Sequence, residues 1–163
     1  SSKTESSDPY SFAMTSALHA LAPRAKSRAE LSAHLQKRGV TTEIADAVLD
    51  ELELQGLLND LEFANIWSES RQRQKKLSKR VIAGELRNKG VAQDIINEVI
   101  EKIDDNLEYQ TAYALAEKKF RSSKNLSPEK IYGRIAGALS RKGFSTGLTS
   151  RIIRELLSTE ISN

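Results

Sequence analysis

The chain contains no cysteine, which excludes a disulfide framework, a thiolate metal site and a cysteine nucleophile together. Proline is nearly as scarce: there are three, and none falls between Pro23 and Pro128. The two histidines, His19 and His34, stand fifteen residues apart on different expected helices, with no His-x-x-His or Glu-x-x-His spacing beside either. Both read as ordinary helix residues. The Gly-Lys-Ser/Thr of a phosphate-cradling loop is missing; the chain carries the reverse order, Lys or Arg then Gly, followed by Val, Val or Phe. No apolar run approaches the ~20 residues that span a bilayer, so no membrane-crossing helix is expected. Residues 1–10 are polar, lack the apolar core of a secretory signal, and read as a flexible tail. Carboxylates such as Asp50, Glu51, Glu53, Asp104 and Asp105 fall on helix surfaces rather than around a cleft. No catalytic residue, metal ligand or cofactor is expected. The composition points to a soluble intracellular protein and not to a membrane protein; a cytoplasmic monomer that binds, and not an enzyme, is expected.

What is present is helical periodicity. No segment alternates apolar and polar residues for long; apolar residues recur at three and four instead. Ile44, Val48, Leu49 and Leu52 mark one helical face, and Ile95, Ile96, Val99, Ile100 and Ile103 mark another. Leu148, Ile152, Ile153 and Leu156 mark a third. These runs belong to an internal repeat. Leu35-Gln36-Lys37-Arg38-Gly39-Val40 matches Leu86-Arg87-Asn88-Lys89-Gly90-Val91 and Leu139-Ser140-Arg141-Lys142-Gly143-Phe144, with glycines 51 and 53 residues apart. Leu31, Ile82 and Ile135 precede each Leu by one helical turn on the same face. A glycine after Lys or Arg ends a helix, because it takes positive φ without penalty and the cation suits the negative helix end. Ser27-Arg28-Ala29-Glu30 forms a capping box, Ser127-Pro128 opens another helix, and Asn59 caps a third with Glu62.

The expected fold is therefore all-α, with elongated tandem repeats of a three-helix unit and no β-sheet. The expected division is a helix and link over 11–26, repeats over 27–77 and 78–126, a two-helix repeat over 127–158, and a tail over 159–163. The added helix Ser11 to Ala22 is expected to pack on the first repeat through Met14, Leu18 and Leu21. Phe63, Ala64 and Trp67 give the apolar face of one third helix, and Tyr109, Ala112, Tyr113, Ala116 and Phe120 that of the next.

The charges alternate in blocks. Net charge is +1 over residues 1–26, −6 over 27–70, +7 over 71–91, −6 over 92–117 and +7 over 118–163. The densest block is Arg71-Gln72-Arg73-Gln74-Lys75-Lys76-Leu77-Ser78-Lys79-Arg80, in which six of ten residues are cationic. A second basic region holds Lys118, Lys119, Arg121, Lys124, Arg134, Arg141, Lys142, Arg151 and Arg154. These are the candidate contacts to a phosphate backbone or an acidic protein surface. A helix–turn–helix reader of DNA inserts its second helix among phosphates, so that helix should not be acidic. Here the helix over 42–55 carries Glu43, Asp46, Asp50, Glu51 and Glu53 without a single Lys or Arg. In the next repeat Asp94, Glu98, Glu101, Asp104 and Asp105 face Lys102 alone. Groove reading is disfavoured by sign. The acidic helices suit a basic partner surface or plain solvent.

These residues resemble the RecX regulators of the bacterial recombinase RecA. The resemblance rests on Ser27-Arg28-Ala29-Glu30-Leu31 with Leu35-x-x-Arg38-Gly39, on Val48-x-x-x-Leu52, and on Gly56-Leu57-Leu58-Asn59-Asp60-x-x-Phe63-Ala64. It continues through Ile82-x-x-Glu85-Leu86-x-x-Lys89-Gly90-Val91 and Leu139-x-Arg141-Lys142-Gly143-Phe144, so that it spans about residues 27–157. The chain departs at Gln74-Lys75-Lys76-Leu77, where many relatives have a glycine-containing turn. The resemblance implies a non-enzymatic protein of three-helix repeats that binds the RecA–DNA filament along its groove. It further implies suppression of ATP hydrolysis and strand exchange, a role in recombination, DNA repair and the SOS response. The alternative is a stand-alone helical module that binds single- or double-stranded DNA through its basic patches.

Overall fold

A computed structural model describes residues 8–162 and, of those, side chains as far as Thr159. Among the described residues the structure is nine α-helices and no strand. They are α1 (Pro9–Leu21), α2 (Arg28–Lys37), α3 (Thr42–Leu54), α4 (Asp60–Lys75) and α5 (Lys79–Asn88). They continue as α6 (Gln93–Ile100), α7 (Asp105–Arg121), α8 (Pro128–Arg141) and α9 (Thr146–Ser162). Seven residues of the expected N-terminal tail, 1–7, lie outside the described residues. Helix α1 begins at Pro9, earlier than the expected Ser11, because Asp8 caps it, accepting from the Ser11 N–H at 3.2 Å, and proline suits the first turn. At the other end α9 runs to Ser162, through the segment read as a tail.

The caps form as their residue types dictate. Ser27 accepts from the Glu30 N–H at 3.1 Å while the Glu30 carboxylate accepts from the Ser27 N–H at 3.1 Å, a complete capping box. Asn59 accepts from the Glu62 N–H at 3.0 Å, and Ser127 accepts from the Lys130 N–H ahead of Pro128. The three repeat glycines all have positive φ, +86° at Gly39, +78° at Gly90 and +93° at Gly143.

The chain divides into two compact units, one of residues up to Trp67 with Leu86–Ile96, the other of Ser68–Glu85 with residues from Asn97 onward. In the first, α1, α2 and α3 share one core of Ala13, Ala17, Leu31, Leu35, Val40, Ala45, Val48, Leu49, Leu52 and Leu58. The contact face of α1 is made chiefly of small residues: Ala13, Ser16 and Ala17 are buried, Met14 and Leu21 are partly so, and Leu18 is 42% exposed. Leu18 is thus not a core residue, against expectation. Alanines let the helix axes approach closely, and they carry little signal in a hydrophobic periodicity. In the second unit, α7, α8 and α9 share Ala112, Ala116, Ile135, Leu139, Phe144, Ile152, Ile153 and Leu156.

Each unit also contains a latch between a helix start and a later glycine turn. The Ser27 hydroxyl donates to the Lys89 carbonyl at 2.6 Å, and the Arg28 N–H donates to Asp60 at 2.8 Å. The corresponding residues of the second unit do the same work: the Ser78 N–H donates to the Lys142 carbonyl at 2.9 Å, and the Lys79 N–H to Glu108 at 2.7 Å. Lys89 completes the first latch, with its ammonium 3.0 Å from Glu30 and over the Trp67 ring at 4.8 Å.

Candidate partner-binding surfaces

The expected cationic residues fall into two kinds. Several are occupied inside the fold. Arg71 grips the Glu85 carboxylate through Nε at 3.0 Å and Nη2 at 2.6 Å, a hydrogen-bonded pairing that raises the guanidinium pKa further above its ordinary value. Lys79 lies 2.7 Å from Asp105 and 4.0 Å from Glu108. Arg80 donates to the Gly143 carbonyl at 3.2 Å. Arg151 lies 3.0 Å from Glu155 and over the Tyr109 ring at 4.6 Å, while the Tyr109 hydroxyl donates to the same carboxylate. Arg121 meets Glu117 at 3.4 Å on the exposed side of α7.

The others, Arg73, Lys75, Lys76, Lys118, Lys119, Lys124, Arg134, Arg141, Lys142 and Arg154, have no carboxylate within ion-pair distance among the described residues. Two depressions of the second unit collect most of them. Arg73 and Lys76 at the end of α4 border Leu107 and Thr111 of α7 around about 320 Å³. An adjoining hollow of about 230 Å³ is lined by Lys76, Thr111, Ala114, Leu115 and Lys118. The other depression, about 420 Å³, is ringed by Lys119, Lys130, Arg134 and Arg141, with Leu126 and Gly133 completing it. Among the described residues its lining includes no carboxylate. Gly137 clears space for Arg141, since a Cβ there would come 3.1 Å from a guanidinium nitrogen. Lys142 is half-buried, and Arg154 stands apart beside Glu155, Ser158 and Thr159.

The sequence places Lys118 with the second basic region, whereas the structure sets it in one hollow with Lys76, which in turn borders Arg73. Lys130 is missing from the sequence-derived set. Its spacing of four from Arg134 on α8 is the signal that could have found it. On the acidic side, Arg28 lies 2.9 Å from Asp50 and 2.7 Å from Glu53, so α3 is partly neutralised by its own unit.

Lys76 closes α4 in the left-handed region, with φ of 55°, alone among the described non-glycine residues. A side chain there carries strain of about 1 kcal/mol, retained at a position that points an ammonium into the groove. Lys76→Gly is therefore expected to hold or raise the thermal midpoint while removing the cation. A drop equivalent to more than about 1 kcal/mol would refute the strain account.

Among the described residues no group of His, Asp or Glu could hold a metal ion, and no helix is long and apolar enough to cross a membrane. Fold and surface together define an all-α repeat protein that presents cationic depressions. Comparison with known proteins agrees. Models of the first, second and third three-helix domains of RecX match residues 13–52, 59–100 and 106–153. The regulatory protein RecX of Streptomyces coelicolor is 37% identical over 153 residues, 94% of this chain and 81% of that protein. The Mycobacterium avium regulatory protein RecX is 37% identical over 144 residues, 88% of this chain and 83% of that one. The crystal structure of RecX from Lactobacillus salivarius superposes with a TM-score of 0.81, at 24% identity, over 91% of this chain and 97% of that chain. The chain belongs to the RecX family, whose relatives are named regulatory proteins.

Proposed function

We propose that the protein regulates RecA by binding the RecA–DNA filament along its groove, as a cytoplasmic monomer, and suppressing ATP hydrolysis and strand exchange without chemistry of its own. The observation that carries this reading is a set of cations on a RecX scaffold with no carboxylate within ion-pair distance among the described residues. Each can meet an external anion without first breaking an ion pair. Arg73, Lys75, Lys76 and Lys118 supply one contact region, and Lys119, Lys130, Arg134 and Arg141 the other. Arg71, Lys79, Arg80 and Arg151 are instead engaged by Glu85, Asp105, the Gly143 carbonyl and Glu155 of the same fold.

The test is an ATPase titration of a RecA filament. The intact protein is expected to inhibit. Arg73, Lys75 and Lys76 replaced together by Ala are expected to weaken inhibition with helicity unchanged; unaltered inhibition would remove this patch from the mechanism. Arg71 is left in place, because Arg71→Ala would also remove its ion pair with the half-buried Glu85 and so mix a structural loss with the loss of a surface cation.

One observation favours a second reading, direct binding to DNA. Four cations ring the α7–α8 depression, with no carboxylate in its lining among the described residues. Phosphate contact there would give affinity for naked DNA that falls steeply with salt, with a slope proportional to the phosphates neutralised. Salt-insensitive binding, or none, would dismiss it.

A further inference from the structure

The groove bordered by the end of α4 and by α7 differs from the α7–α8 depression in having an apolar floor. Leu107, Thr111, Ala114, Leu115 and Lys118 recur at spacings of three and four, so they share one face of α7. Leu107 is 42% exposed, Ala114 is exposed and Leu115 is half-buried. The hollows on either side of Thr111 share Lys76 and Thr111, which makes them one continuous groove. Among the described residues that line it, only Glu69 is a carboxylate, against Arg73, Lys76 and Lys118.

We propose that this groove docks an acidic, amphipathic segment of a partner protein. Apolar side chains of the segment rest on Leu107, Ala114 and Leu115, and its carboxylates meet Arg73, Lys76 and Lys118. Charge complementarity identifies the occupant, since the three cations have no internal carboxylate partner among the described residues. The dimensions suit a helix laid in a groove: residues 107–118 cover about 16 Å at 1.5 Å per residue, some three turns. A nucleic acid strand fits less well. No aromatic ring lines the groove to stack a base, and phosphates on the cations would leave the leucines wetted. The proposal rests on the regulatory reading above and names the partner chemistry for one of its surfaces.

The test is fluorescence anisotropy on the full chain with three labelled probes. One is a Glu-rich peptide of about four helical turns with Leu spaced at three and four; the second replaces each Leu by Ser at equal charge. The third is an oligothymidine of equal charge. The Leu peptide is expected to bind roughly tenfold tighter than the Ser peptide. Leu107→Ser should abolish that preference with the melting temperature unchanged, and Lys118→Glu should weaken both peptides. If Leu107→Ser unsettles the fold, the exposed Ala114→Gln gives the same reading. Equal affinity for the two peptides, or a preference that survives both floor variants, overturns the proposal. So does oligothymidine binding more tightly than the Leu peptide and losing that affinity in Lys118→Glu, which would make the groove a nucleic acid site. No recombinase enters the measurement. Peptide docking by a protein that leaves RecA ATPase untouched would thus sink the regulatory reading alone, and the converse would sink the groove alone.

Discussion

Gly143→Ala is expected to cost about 2–5 kcal/mol, whereas the same change at Gly39 should cost about 1–2 kcal/mol. All three repeat glycines have positive φ, so each alanine meets the left-handed penalty. Only two of them are also close-packed. A Cβ on Gly143 would fall under 3.0 Å from Val81 Cγ2 and Ser78 Oγ, and one on Gly90 under 3.0 Å from Ala29 Cβ. At Gly39 nothing lies within 4 Å. The difference follows from the latches: Gly90 and Gly143 receive an earlier helix start, and Gly39 receives none. Urea unfolding at constant slope measures each loss, against a total stability of roughly 5–15 kcal/mol for a domain. Gly90 offers a sharper check. Its obstacle is a single methyl, so adding Ala29→Gly to Gly90→Ala should recover the overlap and leave the strain, a coupling of about 1–3 kcal/mol. Gly39→Ala as damaging as the other two, or no recovery in the double variant, would show that the close approach does not matter.

Glu30→Gln should remove about 2–3 kcal/mol of stability at pH 7 and little at pH 2. Burial pushes this carboxyl upward, yet hydrogen bonds from Arg24, the Ser27 N–H and Lys89 outweigh it and hold the pKa down at about 2, from 4.5. A depressed carboxylate stabilises the fold fully above its unfolded pKa, and that contribution fades as pH falls through the folded value. The window is therefore pH 4.5 down to about 2. Glu30 is only 17% exposed, but Arg24 is 44% exposed, so solvent screens its share and the lower end of the range is expected. Denaturation midpoints from pH 7 to 2 should converge for the two proteins. Parallel curves would mean that Glu30 acts through shape and not through charge.

The boundaries of most helices were readable because their causes are local. Ser27 with Glu30, Asn59 with Glu62, and Ser127 before Pro128 satisfy orphan N–H groups within one turn, so a short stretch of chain specifies them. The same holds for the stops at Gly39, Gly90 and Gly143. The packing of α1 was less legible, since Ala13 and Ala17 bury its face while Leu18 points outward.

The candidate surface was legible as composition and illegible as geometry. Residues 71–80 read as one cationic run, yet Arg71, Lys79 and Arg80 are held by Glu85, Asp105 and the Gly143 carbonyl. Arg73 and Lys76 instead join Lys118, more than forty positions away. The amino-acid order alone decided that this is a helical repeat with alternating charge, because helix periodicity and caps depend on neighbours three and four residues apart. Which cations remain exposed, and which apolar residues they border, was settled only when helices distant along the chain packed together. An ion pair forms between whatever groups that packing brings within about 4 Å.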